Sequence, residues 1–179
     1  MDLFVQSYLK DIVEYDLVTK FFYKKIKDIP VFKKVVLCFD YKNPSYKQIL
    51  NSILALNIIG NHSKTILLTL KKSNVVLKLR SGSPVGCKII LRKLKMLDFL
   101  SNLFLILIPQ DKNFKGLVVN SKVKNTISFN FKPLSLFNSL RDQYVLIKDL
   151  NSLSVIVTTN SKTLSELIFI LKSLKFKLI

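Results

Sequence analysis

Four cations stand at even spacings in two neighbouring stretches: Lys78 and Arg80 in Val75–Ser81, and Lys88 and Arg92 in Gly86–Arg92. In an extended chain, residues two or four apart share a face. Both stretches read as strands, so the four would line one side of a sheet as a row of fixed positive charge. The chemistry open to such a row is neutralisation of a polyanion. Each phosphate met by Lys or Arg releases counterions, and Lys does this as a point charge that specifies no base. Lys33 and Lys34 in Val31–Phe39 extend the set. Lys71, Lys72, Ser73 and Asn74 make a basic turn ahead of Val75 and Val76, and Gln110–Asn125 reads as a long, exposed, basic loop.

Other chemistries find few of the parts they need. "SGSPVGCK" has glycines around a proline, but not the spacing of a phosphate loop, and it leads into a strand where such a loop opens a helix. Nucleophilic catalysis needs a Ser or Cys beside a base. His62 is the single histidine, reads as a loop residue, and has no carboxylate near it in sequence. Cys38 and Cys87 lack the spacing of a zinc site and read as small, reduced, partly buried side chains. Asp11, Glu14 and Asp16 fall in the first helix and the remaining acids are scattered, so no carboxylate pair presents itself for acid–base work or for a nuclease magnesium site. The reading is a protein without enzymatic activity, cofactor or metal.

The net charge of +18 is too large for a by-product of solubility and points to a polyanionic partner, either nucleic acid or an anionic membrane. Ala55 is the lone alanine, Arg80, Arg92 and Arg141 are the only arginines, and Lys, Asn, Ile, Leu, Phe and Ser dominate. That is the residue usage of a strongly AT-biased gene, as in an organelle or a reduced bacterium. The 179 residues suit one domain with a full core. No apolar run approaches the length of a membrane span, and the acidic start is unlike a transit peptide.

The elements that would position these side chains follow from periodicity. Apolar residues from Leu3 to Phe22 recur at helical spacing. Val31–Phe39 reads as a strand, and Ser45–Ile59 as a helix closed by Gly60. Lys64–Lys72, Val75–Ser81 and Gly86–Arg92 read as successive strands joined through Gly82, Pro84 and Gly86. Leu94–Ile108 reads as a helix that Pro109 ends, Thr126–Phe131 and Ser152–Thr159 as strands, and Pro133–Asp149 fits no single pattern. Thr163 and Glu166 form a capping box for a last helix, Leu164–Leu174. The order predicts an α+β fold: an antiparallel sheet with helices packed on one face and the other face open and basic.

"KKS" at Lys71–Ser73, "KLRSGSPVGCKIILR" at Lys78–Arg92, "FKGL" at Phe114–Leu117 and "VIVTT" at Val155–Thr159 occur in that order. Together they resemble the universal large-subunit ribosomal protein number five in its bacterial and organellar form. The likeness is strong from Lys71 to Leu117, fair from Ser152 to Thr163, where Asn160 and Ser161 replace one residue, and poor from Val118 to Asn151. It implies a non-catalytic α+β protein of the central protuberance that holds 5S rRNA and a neighbouring rRNA helix. It also implies contacts with P-site tRNA, a small-subunit head protein and neighbouring large-subunit proteins, and none with a membrane.

Carried over by position, the resemblance assigns tRNA contact to Lys71, Lys72, Ser73, Asn74, Val75 and Val76. It assigns the small-subunit bridge to Lys112, Asn113, Phe114, Lys115, Lys122 and Lys124. Three of the family's hydrogen-bonding positions toward 5S rRNA have become Cys38, Ser63 and Ile90, and only Arg92 is kept. The implication is a 5S rRNA that is absent or divergent, with the Lys-rich face on other RNA. An AT-biased gene for such a protein suggests the mitochondrial ribosome, with a plastid or an AT-rich bacterium as alternatives. The competing reading is a basic peripheral membrane protein of an organelle.

Overall fold

The computed structural model describes residues 6–42, 44–73, 75–76, 79–112, 114, 116–117, 119, 123–132, 134–143, 148, 150–176 and 178. Among these, β1 is Phe32–Asp40, β2 Thr65–Thr69, β3 Pro84–Leu91, β4 Thr126–Phe131 and β5 Leu153–Thr159. They form an antiparallel sheet in the order β2-β3-β1-β5-β4. Helix α1 is Glu14–Phe21, entered through a π-helical turn at Leu9–Val13. Helix α2 is Tyr46–Ile59, α3 is Lys93–Asn102 prolonged through Leu103–Leu107 and Ile108–Gln110, α4 is Asn138–Arg141, and α5 is Leu164–Ser173. The α+β class expected from the sequence is the class observed.

Contacts group the chain into two compact units: residues 1–35, 92–129 and 156–179, and residues 36–91 and 130–155. In the first, α5 opens with the expected capping box. Thr163 Oγ1 accepts from the Glu166 N–H, and the Glu166 carboxylate accepts from the N–H groups of Thr163 and Lys162. These bonds satisfy donors that a helix start leaves open. Leu167 and Leu171 of α5 then pack with Leu117, Ile127 and Phe176, while Ile170 packs with Val13 and Leu17.

In the second unit the core is supplied by Leu37 and Phe39 of β1, Cys87, Ile89 and Leu91 of β3, and Ala55 and Leu56 of α2, all fully or almost fully buried. Each large apolar side chain so buried contributes about 1.5–3 kcal/mol. Helix α2 packs on β3 and β2. It is capped by Ser45, whose Oγ accepts from the Gln48 N–H while the Gln48 side chain accepts from the Ser45 N–H. Beyond Gly60 the chain reverses through Asn61 and His62, both at positive φ.

Three expectations are overturned. First, β2 pairs directly with β3, and within Val75–Ser81 the described Val75, Val76, Arg80 and Ser81 lie outside any strand. Val75 and Val76 lie in a turn and are both exposed, so their alternation with neighbours marks no sheet face. Second, Pro109 does not stop α3, which continues to Gln110. The Ile108 N–H bonds to the Leu103 carbonyl five residues back, and this wider turn accommodates a proline ring that would clash in a regular helix. Third, Gln110–Asn125 is not simply an exposed loop. Leu117 is buried and bridges to Leu178 in parallel, and Phe114 and Val119 pack on the same core cluster.

Candidate nucleic-acid interface

The register of the β2–β3 pair sets the geometry of the second unit. Thr65 lies opposite Ile89, Ile66 opposite Lys88, and Leu67 opposite Cys87, with a bulge between Leu68 and Thr69. Directly opposed residues share a face. Lys88 therefore has the partly exposed Ile66 beside it, whereas the sequence suggested a second cation. The chain leaves β2 at Leu70 and returns to β3 at Ser83 through the closed neck of a loop. The Leu70 N–H donates to the Ser83 carbonyl at 3.0 Å, and the Gly82 N–H donates to the Leu70 carbonyl at 2.9 Å. Ser83 fastens the last turn, its N–H reaching the Arg80 carbonyl at 3.2 Å and its Oγ the same oxygen at 2.7 Å. Gly82 sits at φ 83°, the left-handed region that a side chain resists.

Beyond this neck Lys71, Lys72, Ser73, Val75 and Val76 are all exposed, the two valines at 89% and 90%. Arg80 is exposed at the neck itself. The loop thus offers cations for phosphate together with an apolar tip that can lie against ribose or a base face. Between Asp40 and Asp98 the sequence holds no Asp or Glu. That acid-free run adds Lys42 and Lys64, both exposed, to the cationic surface. The run is legible in the sequence as a gap between acids, a signal that no single motif carries.

The other expected residues are distributed less simply. Lys33 is exposed and Lys34 half-buried on consecutive positions of β1, so they point to opposite faces and cannot both serve one surface. Arg92 is exposed at the N-cap of α3. Arg80 lies off the sheet, so it does not share a strand face with Lys88. Lys112 is exposed just past α3, and Phe114 is half-buried. Lys124 is exposed, with its carbonyl accepting from Ser161 Oγ at 2.7 Å. Asn74, Lys78, Asn113, Lys115 and Lys122 lie outside the described residues.

Cys38 and Cys87 are buried. The Cys38 thiol points at the Ser154 carbonyl, 3.7 Å away, and the Cys87 thiol donates to Ser52 Oγ at 3.0 Å. Burial, followed by the nearby Asp40 charge, pushes Cys38 up to about 11. Burial also raises Cys87, against the Ser52 hydrogen bond that lowers it. The reactive species is the thiolate, and raised values leave both groups protonated at neutral pH. Iodoacetamide at pH 7.5 is expected to label neither cysteine in the folded chain and both in guanidinium. Mass spectrometry checks this, and rapid labelling of the folded protein would contradict the burial.

Among the described residues no group of three or more His, Cys, Asp or Glu is placed to hold a metal ion, and no helix is long and apolar enough to cross a membrane. Residues 84–178 match the family model for the C-terminus of the ribosomal L5 proteins. The chain is also 31% identical to large ribosomal subunit protein uL5 of Nitrosomonas europaea over 95% of both chains. The chain belongs to the ribosomal L5 family. It is a structural ribosomal protein of the large subunit and not an enzyme. Two further members also match most of the chain. Protein uL5m of Reclinomonas americana is 28% identical over 90% of both chains. Protein uL5 of Clostridium acetobutylicum is 31% identical over 90% of this chain and 89% of its own. The family match begins at Pro84, the first residue of β3, so the loop described above stands immediately before it.

Proposed function

We propose that the chain anchors folded rRNA in the central protuberance of the large subunit and presents its β2–β3 loop to the elbow of P-site tRNA. The observation that carries this reading is the closed neck at Leu70, Arg80, Gly82 and Ser83, from which Lys71 and Lys72 project in an acid-free segment. A preorganised cationic tip recognises a backbone by shape and charge, which suits folded RNA. The bridge to a small-subunit head protein falls to Lys112 and Lys124, with Asn113, Phe114, Lys115 and Lys122.

Contact with 5S rRNA has diverged in this reading. Cys38 turns its thiol to a backbone carbonyl, Ser63 Oγ donates to the Gly60 carbonyl at 2.7 Å, and Ile90 has no polar group to offer. Arg92 and the lysines then bind 5S rRNA, or whatever RNA replaces it, through phosphate. The compartment proposed is the mitochondrial ribosome, supported by the AT-biased composition and by the likeness to a uL5m. The bacterial relatives are equally similar.

The test is sedimentation of a cell or organelle extract. The chain is expected to travel with the large subunit and to leave that position after RNase. Flotation with anionic vesicles that survives RNase would overturn the reading in favour of a membrane surface.

A further inference from the structure

Helix α2 buries Ile49, Ser52, Ala55 and Leu56 in the second unit. Its other side is apolar too. Tyr46, Leu50 and Leu54 are 84%, 61% and 47% exposed and stand four residues apart, so they form one stripe along the helix. Lys47 is the single charged residue between Tyr46 and Ile59. A helix that is apolar all round is ordinarily covered on all sides.

Charge decides what covers it. RNA would be met by cations, and this +18 chain, so rich in lysine elsewhere, supplies only one within α2. A second copy would bring another +18 against the first, and the repulsion opposes a contact between copies. A helix lying on a membrane shows a strongly charged polar face opposite its apolar one, whereas the face of α2 opposite the stripe is buried on β3. What remains is a protein surface, where charge is depleted at the centre and Tyr is enriched. Lys47, exposed in the first turn of the helix beside Tyr46, calls for a carboxylate opposite it.

We propose that the stripe Tyr46–Leu50–Leu54 is the docking surface for an amphipathic segment of another ribosomal protein, apolar along its centre and acidic at its edge. This rests on the ribosomal reading only for the particle in which it is tested. The test places a photo-crosslinking benzoylphenylalanine at position 50 and, separately, at position 76, in ribosomes isolated intact. Position 50 is expected to crosslink to a peptide of a large-subunit protein, and position 76 to RNA. The double variant Leu50→Lys, Leu54→Lys is expected to stay with the subunit and to lower the occupancy of that protein by about ten-fold or more. A crosslink from position 50 to rRNA, to lipid or to a second copy overturns the inference, as does no crosslink or an unchanged occupancy. Failure of the chain to sediment with the large subunit at all would instead count against the ribosomal reading.

Discussion

Replacing both Lys71 and Lys72 by alanine is expected to weaken tRNA binding and to flatten its salt dependence, while leaving the fold as it is. Each phosphate neutralised contributes about 0.7 to 0.9 to the slope of log K against log salt. Two lost contacts should therefore lower the slope by about 1.4 to 1.8. The loss should be uniform across tRNA sequences, because lysine at phosphate reads no base. Both side chains are exposed beyond a neck held by backbone bonds, so the stability change should stay within about 0.5 kcal/mol. Fluorescence anisotropy with a labelled tRNA, titrated at several salt concentrations, measures the slope. The variant Lys112→Ala, in the other unit, serves as the comparison and should leave that slope unchanged. If the double variant keeps the parent slope, the loop does not sit on phosphate and the tRNA assignment fails.

The reason the loop can be isolated in this way was only half legible in the sequence. Its glycines and its "KKS" stand out, but alternation of Leu77 and Leu79 with Lys78 and Arg80 imitates a strand. Period two reports a sheet face only when a partner strand is present. Here β3 takes β2 as its partner, and the pairing is a long-range fact that spacing does not encode. The same limit explains Leu117, whose parallel bridge to Leu178 joins residues far apart in the chain. Local signals fared better. The capping box at Thr163 and Glu166 needs only residues three apart, and it forms as expected. The exposed stripe on α2 was hidden for the opposite reason. Leu50 and Leu54 look like core residues in sequence, and burial alone reveals that nothing in the described chain covers them fully.

Gly82 and Gly86 belong to one short motif but should respond to mutation by different physics. At Gly82 a side chain would meet nothing within 4 Å, and only the positive φ resists it. Gly82→Asn should therefore cost a few tenths of a kcal/mol, because Asn tolerates the left-handed region, and Gly82→Ala about 1 kcal/mol. At Gly86 the obstacle is the chain itself. A Cβ there falls on the carbonyl oxygen of Phe39, a backbone atom of the adjacent strand β1 that cannot rotate aside. Relief requires β3 to move from β1, which disturbs the packing of Leu37, Phe39, Cys87 and Ile89, all of them fully buried. Overpacking of this kind costs about 1–3 kcal/mol when side chains can yield. Gly86→Ala is therefore expected near the top of that range, and Gly86→Val beyond it, out of the roughly 5–15 kcal/mol that holds a domain together. Urea denaturation followed by circular dichroism gives the ranking: Gly86→Val lowest, then Gly86→Ala, then Gly82→Ala, with Gly82→Asn close to the parent chain. If Gly86→Ala unfolded at the parent midpoint, the close approach of β3 to β1 would be wrong, and with it the rigid base from which the cationic loop projects.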